Sequence, residues 1–255
     1  MNLKSIDIAL ISVFAALFYL LTLLPGIPII GGKGKIELAA AIAPLFGILL
    51  GPWRGALAAF LGAFISWALP PGSPDPFSGL LILAPTISSL VAGLFTSGNV
   101  SGSMKGWQLS SLILGGLIAL WYLTWIGVRA FYYPVMHFAG LTLMLAFRSK
   151  VSEYLLSSSR VKNSIAVVAA SYCGIVSDHM VGNLAFIFSL GWLIPLKVIS
   201  GWLKSLGLPD VPSLFIYTMP ISFIERILML LITVAVGVPL VATVKSYKLP
   251  GISKS

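Results

Sequence analysis

The sequence predicts an all-α protein, a polytopic transmembrane helical bundle of six to eight spans with both termini in the cytoplasm. Three observations carry this reading. The 255-residue chain is 58% hydrophobic and only 9% charged, with a mean hydropathy of +1.02, a composition that excludes an ordinary soluble domain. Its apolar residues fall into runs comparable with the roughly 20 residues that cross a bilayer as a helix. Most of its basic residues lie between those runs, where they set topology and meet anionic lipid.

The first span is expected at 6–24. It follows a lysine and resembles a secretory signal, but its apolar run is longer than a signal core and no Ala-x-Ala-like site follows. After a glycine-rich loop, the run at 37–51 places Ala39, Ala43, Gly47 and Gly51 at a spacing of four. The turn Gly51-Pro52-Trp53-Arg54-Gly55 leads into a third span at 54–69, with Ala59, Gly62, Ala63 and Ser66 on its small faces. Such residues let helix backbones meet in lipid, where packing drives association.

Further spans are expected at 78–96, 109–128, 134–147, 163–190 and 216–243. The second, third and sixth are short, which suits tilt, a thinned bilayer or half-spanning elements broken at Pro52 and Pro134. Residues 1–255 read as a single integral membrane domain.

Charge sets the orientation. With the N-terminus inside, Lys4, Arg54, Lys105, Arg148, Lys150, Arg160, Lys162, Lys245, Lys248 and Lys254 are cytoplasmic. Only Lys33, Lys35, Arg129, Lys197 and Lys204 fall outside, as the positive-inside rule requires. The outer side then holds the loops PGIPIIGGKGKIE, PPGSPDP and RAFYYP, and a segment from Gly191 to Leu214 with room for an interfacial helix.

Several functions are excluded. The net charge of +9 is spread between apolar runs, so no nucleic acid partner is expected. The single cysteine, Cys173, sits in an apolar run and suits a buried thiol. Gly26-x-x-x-x-Gly31-Gly32-Lys33 departs from a phosphate loop by an extra glycine and by Gly34 where Ser or Thr is needed. There is no nucleophile elbow and no His-Glu-x-x-His. With two histidines no metal or cofactor is expected, and the chain does not read as an enzyme.

Ionisable residues inside spans are costly unless they pair or line a wet cavity. Asp178 and His179, with Asn183 one turn after His179, and Glu225 with Arg226 fall in the last two spans. Trp121, Trp125 and Arg129 form a stripe at steps of four, followed by Tyr132, Tyr133 and His137. Aromatic faces beside a cation suit a flat heterocycle with polar or anionic substituents. The substrate-binding candidates are therefore Trp125, Arg129, Asp178, His179, Asn183 and Glu225. Pairing of Asp178 with Arg226, or of Glu225 with Arg129, accounts for the same charges without a ligand, and an interfacial aromatic belt accounts for Tyr132 and Tyr133.

The segment IALISVFAALFYLLTLLPGIPIIGGKGKIELAAAIAPLFGILLGPWRGALAAFLGAFISW resembles the substrate-binding S components of energy-coupling factor (ECF) transporters in its order of helices, its outer loop and its Gly-Pro-x-x-Gly turn. The resemblance covers about the first 100 residues. It implies capture of a vitamin or related micronutrient, and docking on a membrane coupling protein that carries two cytoplasmic ATPases. It further implies a lid in the loop with Lys33, Lys35 and Glu37. A docking face on the first helix would be formed by Ala9, Ser12 and Ala16, with serine in place of the family's alanine. Family members usually have six spans, which makes 109–147 an inserted hairpin. The competing reading is an ion-coupled secondary transporter of a small solute that uses Asp178 or Glu225.

Overall fold

The small-residue run after Glu37 becomes α2 (Leu38–Leu50), whose residues are almost all buried. In the computed structural model, which describes residues 4–28, 35–70, 72–101 and 103–244, α2 is wrapped by α1 (Ser5–Thr22), α3 (Pro52–Ala68) and α5 (Leu83–Thr96). A short α4 (Pro76–Leu81) precedes α5. A hairpin then follows, made of α6 (Gly106–Tyr122), α7 (Trp125–Arg129) and α8 (Val135–Phe147). Beyond it come α9 (Lys150–Leu156), the long α10 (Arg160–Ser189), α11 (Leu196–Leu206) and α12 (Val211–Val244). Two small antiparallel pairs decorate the loops, β1 (Ile27–Pro28) with β2 (Lys35–Ile36) and β3 (Asn99–Ser101) with β4 (Met104–Lys105).

The all-α membrane bundle is as expected. Among the described residues, four helical stretches are long and apolar enough to cross a membrane: Ser5–Thr22, Pro76–Thr96, Arg160–Ser189 and Val211–Val244. Shorter apolar helices are Leu38–Leu50, Gly106–Tyr122 and Val135–Phe147. At 1.5 Å per residue, the 13 residues of α2 cover only about two-thirds of a ~30 Å hydrocarbon layer.

The spacing-of-four face of α2 meets two neighbours. A side chain at Gly47 would overlap the Ser89 carbonyl of α5 and lie 2.7 Å from the Gly93 nitrogen. A Cβ at Gly55 of α3 would lie 2.5 Å from the Phe46 carbonyl. The turn between α2 and α3 rests on Gly51, whose φ of 82° is open to glycine at little cost, and Pro52 opens α3 where its missing N–H costs nothing. On the other side of α2, Phe46 takes Phe14 and Phe18 edge-on, with ring centroids at 5.0 and 6.1 Å. The Thr233 hydroxyl of α12 donates to the Ala41 carbonyl.

Outward faces are apolar. Val13, Leu17 and Leu20 on α1, and Ile224, Ile227 and Leu231 on α12, are exposed, as lipid-facing positions should be. Arg54 pairs with Asp7 at 3.0 Å, joining the start of α3 to the start of α1.

Two expectations change. The fifth span does not run to 128; α6 ends at Tyr122. The hydroxyl of Thr124 then caps a separate helix, accepting from the Gly127 nitrogen at 2.9 Å. The stripe Trp121-Trp125-Arg129 is therefore broken: Trp121 is fully buried while Trp125 is 56% exposed. Arg129 does not reach Glu225; it pairs with Asp210 at 3.5 Å on the exterior. Of the residues used for orientation and lid, Lys33, Lys245, Lys248 and Lys254 lie outside the described residues.

Candidate functional site

One end of the bundle holds a cavity of about 720 Å³ between α1, α3, α4, α10 and α12. That is a size suited to a small organic solute. Helix α10 supplies two adjacent rows, Asp178 with Gly182 and His179 with Asn183, each one turn apart, and all four residues line the space. Gly182 leaves it open, since a Cβ there would meet no described residue within 4 Å. Glu225 and Arg226 face them from α12, and Glu37 stands at the start of α2.

The charges are linked. Arg226 holds Asp178 at 3.2 Å and Glu225 at 3.0 Å, with the Arg226 and Asp178 side chains only 12% and 10% exposed. Pairing of this kind keeps ionised groups tolerable at membrane depth.

Behind the polar wall stands Tyr133. Its hydroxyl lies 3.2 Å from His179 Nε2 and donates to Asn183 Oδ1 at 3.4 Å. Both contacts are satisfied together when His179 carries its proton on Nε2, which leaves Nδ1 as an acceptor. Trp121 stacks on Tyr133 at 4.9 Å, and Phe215 meets both rings edge-on at 5.1 and 5.2 Å. His137 stacks on His179 at 5.3 Å. Trp121 thus supports the wall and does not itself line the cavity. His179 Nδ1 and Asn183 Nδ2 have no hydrogen-bond partner among the described residues.

The opposite wall was not singled out from the sequence. Trp67 of α3 lines the cavity, and its indole N–H donates to the Asp75 carbonyl at 3.1 Å. Asp75 caps α4 by accepting from the Phe77 and Ser78 nitrogens at 2.9 and 3.0 Å and from the Ser78 hydroxyl. These bonds, the Ser78 hydroxyl first, hold the Asp75 carboxyl below its ordinary range. Asp75 lies in PPGSPDP, marked in the sequence only as a distinctive outer loop.

Of the sequence candidates, Asp178, His179, Asn183, Glu225 and Glu37 come together around the cavity, while Trp125 and Arg129 are not among its lining residues. Those two lie against each other, the guanidinium 6.0 Å from the indole centroid. Lys35 lies in β2. Ala9, Ser12 and Ala16 are all exposed on one side of α1.

A family model described as "ECF-type riboflavin transporter, S component" matches residues 2–149, more than half of the chain. The chain belongs to this family of ECF transporter S components. That is a class of substrate-binding transport subunits and not of enzymes. The match runs through α6, α7 and α8. An uncharacterized protein of Methanocaldococcus jannaschii is 32% identical over 155 residues, covering 61% of this chain and 50% of the relative. The chain thus spans about half the length of the curated relative it matches. No solved structure matches the chain.

Proposed function

We propose that the chain is the capture subunit of an ECF-type importer. It takes a vitamin or related micronutrient from the outer side into the cavity between α10, α12, α3 and α4. Asp178, His179, Asn183 and Glu225 contact the solute, and the loop with Lys33, Lys35 and Glu37 closes over it. The observation that carries this reading is the cavity itself, with polar groups from α10 and α12 converging at one end of an apolar bundle.

In this reading both termini are cytoplasmic, so the cavity opens outward on the side of the Asp75 loop. Residues 1–255 form one integral domain in the cell membrane, and the hairpin 109–147 is added to a six-helix core. Support for the addition is that no residue of α6 to α8 lines the cavity. The exposed stripe of Ala9, Ser12 and Ala16 docks on a membrane coupling protein that carries two cytoplasmic ATPases, and solute is released inward.

Native mass spectrometry of gently purified protein tests capture directly, with a retained small molecule as the expected result. Affinity purification tests the partners, and co-isolation of a coupling protein with two ATPases is expected. Solute uptake by the protein alone in vesicles would favour ion-coupled secondary transport in its place.

A further inference from the structure

The cavity and the rest of the chain differ in sign. The sequence has 16 basic and 7 acidic residues, yet Glu37, Asp75, Asp178 and Glu225 all line this one space. Arg226 is the sole basic residue among its described lining residues. It already serves two carboxylates at once, so the pocket retains an excess of negative charge at the end of an apolar bundle. Carboxylates gathered in a low-dielectric recess repel one another, and a positive charge brought among them is favoured far more than in water.

Other features point the same way. His179 is only 7% exposed, and its Nδ1 is without a partner among the described residues. With Tyr133 engaging Nε2 and donating to Asn183, that nitrogen is left to accept a hydrogen bond. Across the cavity, Trp67 is held by its bond to the Asp75 carbonyl, with Gly79 of α4 beside its ring. A fixed indole face attracts cations.

Resting on the capture reading above, we propose that the solute carries a positive charge on a flat or compact organic frame. It sits between the inner carboxylates of Asp178 and Glu225 and the mouth carboxylates of Glu37 and Asp75, with Trp67 as its aromatic wall. An amine or azolium heterocycle fits this chemistry; an anionic solute does not.

The test uses the purified full chain with thiamine as a cationic probe, riboflavin as a neutral one and biotin as an anionic one. Binding is read by calorimetry, and the charge of any co-purified solute by mass spectrometry. A cationic co-purified solute, or a preference for thiamine over both other probes, is expected. Glu37→Gln and Glu225→Gln should each weaken cation binding by about tenfold, the loss of one close charge interaction. Glu153→Gln, remote from the cavity, should leave binding unchanged.

Retention of a neutral or anionic solute, with affinity indifferent to both Gln variants, overturns the charge assignment and leaves capture standing. A protein that is empty as isolated and binds none of the three probes overturns the charge assignment. If it also fails to co-isolate any coupling partner, the capture reading falls too.

Discussion

Arg226 of α12 reaches Asp178 of α10 at 3.2 Å, so the two longest helices of the bundle are joined by an ion pair beside the cavity. Removing one member of such a pair strands the other. Arg226→Met should cost about 3–5 kcal/mol, the range for breaking a buried pair, because it leaves Asp178 and Glu225 facing each other. Asp178→Asn should cost less, since Arg226 keeps Glu225. The double variant should recover part of the loss, a coupling visible in unfolding midpoints measured in detergent.

Tyr133→Phe removes the hydroxyl that reaches both His179 and Asn183 without changing the stack on Trp121. Leaving buried polar atoms unpaired costs about 1–3 kcal/mol. Stability should fall by that amount and solute affinity should fall with it. Trp125→Ala and Arg129→Ala, at exposed positions outside the cavity, should leave affinity near that of the unchanged protein. Calorimetric titration of all three variants decides between these placements.

The helical bundle was legible because the burial pattern follows runs of apolar residues, and a run of 15 to 30 such residues has few other solutions. The grouping of Asp178, His179 and Asn183 was also legible, since charge inside a span needs a reason and a spacing of four defines a face. The break after Tyr122 was not. It rests on Thr124, whose hydroxyl accepts from Gly127, and on Gly127, where a Cβ would lie 1.9 Å from the Trp121 carbonyl, in a stretch whose spacing suits an unbroken helix. That one turn sends Trp125 outward and leaves Trp121 buried. The role of Trp67 depended on which helix faces α10 across the cavity, a tertiary fact with no local signal. Arg226 was visible as a partner for Asp178, but its simultaneous hold on Glu225 required the rotamer.

Asp75 offers a pH test outside the membrane-spanning helices. Hydrogen bonds from the Ser78 hydroxyl and from backbone nitrogens lower its folded-state pKa. Its contribution is therefore present above the ordinary aspartate value and lost as pH falls through the lower folded value. Amide exchange at Phe77 and Ser78 should accelerate across that acidic window. In Asp75→Ala the cap is gone at every pH, so exchange should be fast throughout and show no such step.

Gly47 and Gly116 make a matched pair for the helix-packing argument. A Cβ at Gly47 collides with backbone of α5, whereas one at Gly116 meets nothing within 4 Å. Backbone cannot move aside as a side chain does, so Gly47→Ala should cost at least the roughly 1–3 kcal/mol typical of overpacking. Gly116→Ala should be neutral or stabilising by up to ~1 kcal/mol through helix propensity. Thermal stability in one detergent, with yield of monodisperse protein, reads both.

Gly182 separates fold from function most cleanly. It lines the cavity one turn after Asp178, and no described residue comes within 4 Å of where its Cβ would sit. Gly182→Leu should therefore fold normally, and replacing a mid-helix glycine by a good helix former is worth up to ~1 kcal/mol of stability. Its isobutyl group would project into the volume assigned to the solute. The expected result is an unfolding midpoint equal to or above that of the unchanged protein, together with loss of any retained or titrated ligand. A variant that binds as before would show that the solute sits elsewhere, since a leucine cannot share that space with it.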